Sequence, residues 1–208
     1  MREISFNRED NRDEAFFIYK SANLAIHAWK CHLLRNVKQD QARLDSLYRL
    51  DEHTVLLVND WAMKSIPQKY RESQSYWFGK RGISWHISVA YRKVDGYLQA
   101  QSFITITQSC SQGSAAVVVI LQHVIHMLKT EHPEIEKVYL RQENAGCYHS
   151  ASTVLACPSI EASTGVKVEG LDFSDPQVGK GAANRTGATA KTRIRMSTRA
   201  TMSRMHIK

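Results

Sequence analysis

A chain of 208 residues, 43% of them apolar, is long enough for one sizeable domain with an appendage or for two small domains. Its longest apolar run, Ala115 to Leu121, is far short of the ~20 residues that a membrane helix needs. The polar, charged stretch Met1 to Asp10 has none of the features of a secretory signal, so a soluble, intracellular protein is expected. The formal net charge is +8; all 20 acidic residues lie at or before Asp175, and Lys180, Arg185, Lys191, Arg193, Arg195, Arg199, Arg204 and Lys208 follow with no acid among them. A basic tail on a neutral body suits a polyanion, most simply nucleic acid, and the plain alternative is a solvated tail with no partner. Cys31, Cys110, Cys147 and Cys157 show no CxxC spacing, so free thiols are expected rather than a disulfide framework or a zinc site.

Residues 9–50 have a helical pattern. Apolar residues recur from Phe16 through Tyr19, Leu24, Ile26, Trp29 and Leu33, and after a polar break at Lys38-Gln39-Asp40-Gln41 they resume at Leu44, Leu47 and Leu50. So wide a stripe predicts a helix packed on something. Trp29 belongs to that packing or, with Lys30, His32 and Arg35, touches nucleic acid. Thr54 to Asp60 is apolar, β-branched and closes on a carboxylate, which predicts the first strand. The connection from Lys64 to Arg81 interleaves Lys64, Lys69, Arg71, Lys80 and Arg81 with Tyr70, Tyr76, Trp77 and Phe78. Basic groups hold phosphates while aromatic faces stack bases; alternatively Trp77 and Phe78 pin the loop to the core.

Gly82 to Tyr91 alternates apolar with polar and predicts a half-buried second strand. Asp95-Gly96 is a hairpin signal, and Tyr97 to Gln108 returns as the third strand. Ser111-Gln112-Gly113-Ser114 opens a helix that runs to about Glu131, before Pro133, with Val117, Ile120, Leu121, Val124, Ile125 and Leu128 on one face. Ile135 to Leu140 predicts the fourth strand, Ser150 to Ala162 a shorter helix interrupted by Pro158, and Val166 to Phe173 the fifth strand. Helix-compatible sequence resumes at Ala182.

The order β-β-β-α-β-α-β-α, with three meander strands and then a crossover helix that returns a strand beside the first, is the ribonuclease-H order. The expected fold is therefore an α/β, ribonuclease-H-like mixed five-stranded sheet flanked by helices, with an N-terminal helical segment. The expected boundaries are 1–53 for that segment, 54–195 for the domain and 196–208 for a basic tail.

Asp60 and Glu143 each close an apolar run, and strand-end acids on neighbouring strands can share a divalent cation. Two-metal phosphoryl chemistry needs several carboxylates around cations ~3.5–4 Å apart, and magnesium takes oxygen ligands in a near-octahedral shell. Glu143 is followed by Asn144-Ala145-Gly146, small residues that let backbone approach a phosphate. The bland readings are a turn or cap for Asp60 and an ordinary loop for Glu143. His123 and His126, at i and i+3, lack a suitably spaced further ligand and suit a solvated helix face. Cys147 and His149 have no identifiable activating base, so they are expected to be structural.

Four blocks carry a resemblance: Asp60-Trp61-Ala62-Met63-Lys64, Trp77 to His86, Arg141 to Ser150, and Asp172 to Gln177 continued by Gly179 to Arg185. In order and spacing they resemble segments of transposon-derived animal proteins whose core is similar to the ribonuclease-H-like catalytic domain of DDE-type, cut-and-paste transposases. The resemblance spans roughly residues 20–195. It implies Asp60, Glu143 and the position of Asn184 as the catalytic set, Asp60 and Glu143 as metal ligands, and Mg2+ or Mn2+ as cofactor. Two departures stand out. The second acid, usually Asp in an Asp-Asn-Ala-Gly context, is Glu143, one methylene longer. The third acid is replaced by Asn184, whose carbonyl can bind a cation but carries no charge. A unit charge ~4 Å from another is worth at most about 4 kcal/mol at an effective dielectric of ~20, so the loss weakens cation binding. Asp175 or Asp172 is the possible substitute.

The resulting expectation is a transposase-derived nucleic-acid-binding domain, with DNA as partner, a degenerate metal site and impaired catalysis. Lys64, Arg71, Lys80, Arg81, Lys180, Arg185, Lys191 and Arg193 are its expected phosphate contacts. One alternative is an active metal-dependent nuclease or transposase that uses Asp60, Glu143 and Asp175. The other is a protein-interaction module that retains the fold. An oligomer and a nuclear location are also expected. No zinc finger or helix-turn-helix is recognisable, so target choice is expected to lie in parts absent from this chain.

Overall fold

The computed structural model describes residues 8–66, 71–108, 110–174 and 181–205, with side chains to 196. The chain divides into two compact units, residues 1–43 and 44–208. Helix α1, Glu9–Arg49, gives its first part to the smaller unit and its end to the larger. Acids Glu9 and Asp10 sit in its first turn and Arg49 in its last, which suits the helix dipole. No residue of α1 is buried. The expected packed helix is present, but its apolar stripe lies in solvent.

The larger unit runs β1 (Thr54–Ser65), α2 (Gln74–Phe78), β2 (Ile83–Val94), β3 (Tyr97–Thr107), α3 (Ser114–Glu131), β4 (Lys137–Glu143), α4 (Ala151–Leu155), α5 (Cys157–Thr164), β5 (Lys167–Ser174) and α6 (Ala182–Met205). The five strands form one sheet in the order β3-β2-β1-β4-β5. β1, β2 and β3 pair antiparallel, while β4 and β5 run parallel to β1. This is the ribonuclease-H-like arrangement.

Local sequence explains the elements. Asp95 and Gly96 both take positive φ, 51° and 78°, as a two-residue hairpin turn with the sheet's own twist requires. α3 ends at His132, one residue before Pro133, which cannot continue a helix. Pro158 stands in the first turn of α5, where its missing N–H costs nothing, so the expected interrupted helix is two helices that meet at Ala156. α2 was not legible within the Lys64–Arg81 connection; Ser73 caps it by accepting from the Tyr76 N–H.

Both faces of the central sheet are covered. On one, Val55 and Leu57 of β1, Ala90 of β2, and Val138 and Leu140 of β4 meet Val117, Ile120, Leu121, Val124, Ile125 and Leu128 of α3. On the other, Ala62, Trp85, Ile87 and Val89 meet Ala183 of α6, with Ala190 alongside. β2 is therefore buried on both faces from Ser84 to Ala90, not half-buried as its alternation suggests. Its polar positions Ser84, His86 and Ser88 point into the protein because α3 caps the face that the pattern assigns to solvent. The edge strand β3 shows the exposed alternation instead.

Gly187 marks the close approach of α6. A Cβ there would lie 3.4 Å from Ala62 Cβ and 3.5 Å from Ile87 Cγ1, within ordinary contact. Gly187→Ala is expected to stabilise the fold by about 0.5–1 kcal/mol through helix propensity. Gly187→Leu is expected to push α6 from the sheet and to cost about 1–3 kcal/mol. Denaturant unfolding of both variants checks this, and equal effects would place α6 elsewhere.

Candidate functional site

The parallel register of β1 and β4 ends with Asn59 opposite Gln142. Asp60 and Glu143 are the next residues on each strand. Side chains alternate along strands, so both project to the face that α6 covers. Asp60 is not at a strand end, as the sequence suggested. β1 continues to Ser65 against β2, with Asp60 opposite Ile87. It is the β4 side of the ladder that stops at the acid. Glu143 is the last residue of β4.

The two carboxylates sense each other strongly. Asp60 is pushed up to about 7, first by burial, then by the charge of Glu143 and by a hydrogen bond with it, against a smaller pull from the Trp61 N–H. Its Oδ1 is buried without a hydrogen-bond partner. At neutral pH Asp60 is thus close to half-protonated. An unpartnered acceptor beside a second carboxylate is the donor chemistry that a hard dication satisfies, so these residues fit Mg2+ or Mn2+ as ligands. Among the described residues, no group of three or more His, Cys, Asp or Glu side chains is gathered to hold a metal ion.

Asn184 is exposed in the first turn of α6. Its neighbour Ala183 packs with Ala62 and Ile87, the residues two along from Asp60 and opposite it. Asp172 is paired with Arg141, whose side chain is buried, so a swing toward the acid pair would break an ion pair to a buried guanidinium. Asp175 and Lys180 lie outside the described residues.

The basic candidates differ in exposure and in what their side chains contact. Arg81, Arg185 and Arg193 are exposed, the last two on α6. Arg71 is exposed at a positive φ of 56°. Lys64 is exposed and donates to the Cys110 carbonyl at 3.4 Å. Lys191 donates to the Met63 carbonyl and lies 5.9 Å from the Trp85 ring; burial, then Arg195, lowers its ammonium. Lys80 departs from the expectation of an open phosphate contact. Its side chain is buried, ion-paired with Glu72 and set 4.9 Å over the Trp77 ring. Trp77 and Phe78 do not pin the connection to the core; they are 52% and 81% exposed. Trp29 is likewise exposed. His123 and His126 lie on the solvated side of α3, as expected.

One cluster escaped the sequence reading. On the opposite face from the acids, the Ser88 hydroxyl donates to Asn59 Oδ1 at 2.7 Å and lies 3.3 Å from His86 Nδ1. Trp61 packs edge-on against His86 at 4.9 Å between centroids. Burial lowers His86 to about 4, so it is neutral at physiological pH, and burial raises the Tyr148 hydroxyl. The only signal in the sequence was the polar phase of β2, which reads as solvent-facing.

A family model described as "Domain of unknown function (DUF8701)" matches residues 39–208. No curated protein matches the chain. Among solved structures, it is similar to the Mos1 transposase paired-end complex with left transposon end, at 11% identity and a TM-score of 0.38 over 68% of this chain and 41% of that one. It is also similar to the catalytic domain of Mos1 mariner transposase, at 12% identity and a TM-score of 0.37 over 64% and 57%. The Mos1 mariner paired-end complex with Mn matches at 11% and 0.37, over 66% and 41%. The chain spans less than two thirds of each of these proteins.

Because the folded Asp60 holds its proton more tightly than an unfolded carboxylate, its contribution to stability is fully present below about pH 4. It is lost as pH rises through about 7. Asp60→Asn removes that loss. Its thermal stability, relative to wild type, is expected to rise between pH 4 and pH 8 by about 1–2 kcal/mol after solvent screening. A difference that does not change with pH would mean that Asp60 is not raised by its burial and by Glu143.

Proposed function

The chain belongs to the DUF8701 family, and we propose that it is a nucleic-acid-binding domain, with DNA as its partner, built around a degenerate carboxylate site with impaired catalysis. The observation that carries this reading is the placement of Asp60 and Glu143 side by side where the β1–β4 ladder ends, beneath a helix whose charges are basic. Asp60 and Glu143 would hold a cation there, with the carbonyl of Asn184 as a neutral third donor. A bound Mg2+ or Mn2+ would supply charge neutralisation for phosphate oxygens and activation of a water. Asn184 leaves the site one negative charge short, and Glu143 moves its oxygens by a methylene; both changes weaken the hold on a cation. The chain's own residues then serve binding: Arg185 and Arg193 on α6, with Arg71 and Arg81 from the β1–β2 connection, meet phosphates. Trp77 and Phe78 offer exposed faces for base stacking. Lys80 serves indirectly, holding Trp77 through the Glu72 pair.

Three measurements test this. Affinity for duplex or single-stranded DNA is expected to fall with salt, each neutralised phosphate adding ~0.7–0.9 to the log-log slope. Arg185→Gln with Arg193→Gln is expected to flatten the slope by about 1–2. These substitutions are cleaner than truncation from residue 186, which would remove Gly187 and Ala190 from the sheet contact. An unchanged slope would remove α6 from the interface. Calorimetry with Mg2+ or Mn2+ is expected to show weak binding that strengthens as pH rises through 7, because the cation must displace the proton on Asp60. Glu143→Asp with Asn184→Asp is expected to tighten it at least tenfold. Equal affinity would place Asn184 away from the site, and magnesium-dependent cleavage by the wild-type chain would overturn the impaired reading.

A further inference from the structure

The smaller unit consists of little besides α1, and the helix exposes an unusual amount of apolar surface. Phe16, Tyr19, Ile26, Leu33 and Val37 recur at spacings of three, four and seven residues. They form one stripe along a helix that rises 1.5 Å per residue, so the seam is about 32 Å long. All five are more than 40% exposed. A helix in water does not hold such a seam open without cost, and heptad spacing of this kind is what pairs helices. Asn23 and Lys30 interrupt the stripe, as polar residues that set register in paired helices do.

The charges indicate what covers it. Near the start, Glu9, Asp10, Asp13 and Glu14 outnumber Arg12 and Lys20. Farther along, Lys30, Arg35, Lys38 and Arg43 outnumber Asp40. Some of these are already matched within the helix, Arg12 with Glu9 and Arg43 with Asp40, and the imbalance of each half remains. A partner of a single sign would suit one half and repel the other. A second copy in the same direction would set acids against acids. A second copy running the opposite way meets both halves with opposite charge.

We propose that α1 is a self-association helix, in which two copies of this chain pair antiparallel along the Phe16–Val37 seam about a two-fold axis near residue 26. The interface is isologous, so each copy offers the same stripe and the same charge gradient.

Sedimentation equilibrium of the full chain is expected to show a dimer at micromolar concentration. Ile26→Glu with Leu33→Glu, both at exposed positions, is expected to weaken it at least a hundredfold, while the melting of the sheet unit stays unchanged. Orientation is read by zero-length carboxylate–lysine cross-linking of a mixture of unlabelled and 15N-labelled chains. Links between the two isotopes are expected to join Asp13 or Glu14 to Lys38, which the antiparallel register brings opposite residue 15. A monomer throughout the concentration range overturns the proposal, as does a dimer that the double variant leaves intact. Mixed-isotope links from acids 9–14 to Lys20 alone overturn the antiparallel arrangement.

Discussion

The parallel ladder between β1 and β4 is the constraint on which the rest of this structure depends. It places a strand on the free side of the β1–β2 pair and makes β1 central. A parallel neighbour cannot be reached by a tight turn, so α3 has to cross between β3 and β4 and cap a face on the way. With α6 on the other face, the first half of β1 is buried from Thr54 to Leu57, and Val55 and Leu57 are fully so. The ladder stops at Asn59 and Gln142, one residue short of the acids. Two carboxylates therefore stand at the boundary between a low-dielectric core and the end of the sheet. That position alone explains why Asp60 clings to its proton, because burial is the larger cause and Glu143 adds to it.

The sequence revealed the strands and α3 because their patterns were long and strong. Thr54–Val58 and the 3.6-residue spacing of Val117 to Leu128 leave little room for another assignment, and Asp95-Gly96 has one favoured use. What stayed hidden depended on partners distant in the chain. β2 read as half-buried because Ser84, His86 and Ser88 are polar, yet hydrogen bonds to neighbours such as Asn59 let the last two be buried. Asp60 read as a strand end because the apolar run ends there, although β1 continues with Trp61 and Ala62 against β2. Lys80 read as an open cation; nothing local announces that Glu72, eight residues earlier, neutralises it. The adjacency of Asp60 and Glu143 followed from strand order, so it was legible as soon as the order was. The pairing of Asp172 with Arg141 needed the β4–β5 register, in which the two residues are opposite.

The two longest helices, α1 and α6, differ in how they use their side chains. α1 carries large apolar groups and leaves them in water. α6 puts small residues and Lys191 against the sheet, while Arg185 and Arg193 are exposed. Ala183, Gly187 and Ala190 let the helix come close, yet together they remove little apolar area from water, at roughly 25 cal/mol per Å². The element richest in positive charge is thus held by backbone proximity and methyl groups rather than by a deep hydrophobic anchor. Segments with few buried apolar contacts open well below the free energy of global unfolding. Opening α6 therefore exposes little apolar surface, and a polyanion that bridges its arginines to basic residues near the sheet would lengthen the time it stays closed.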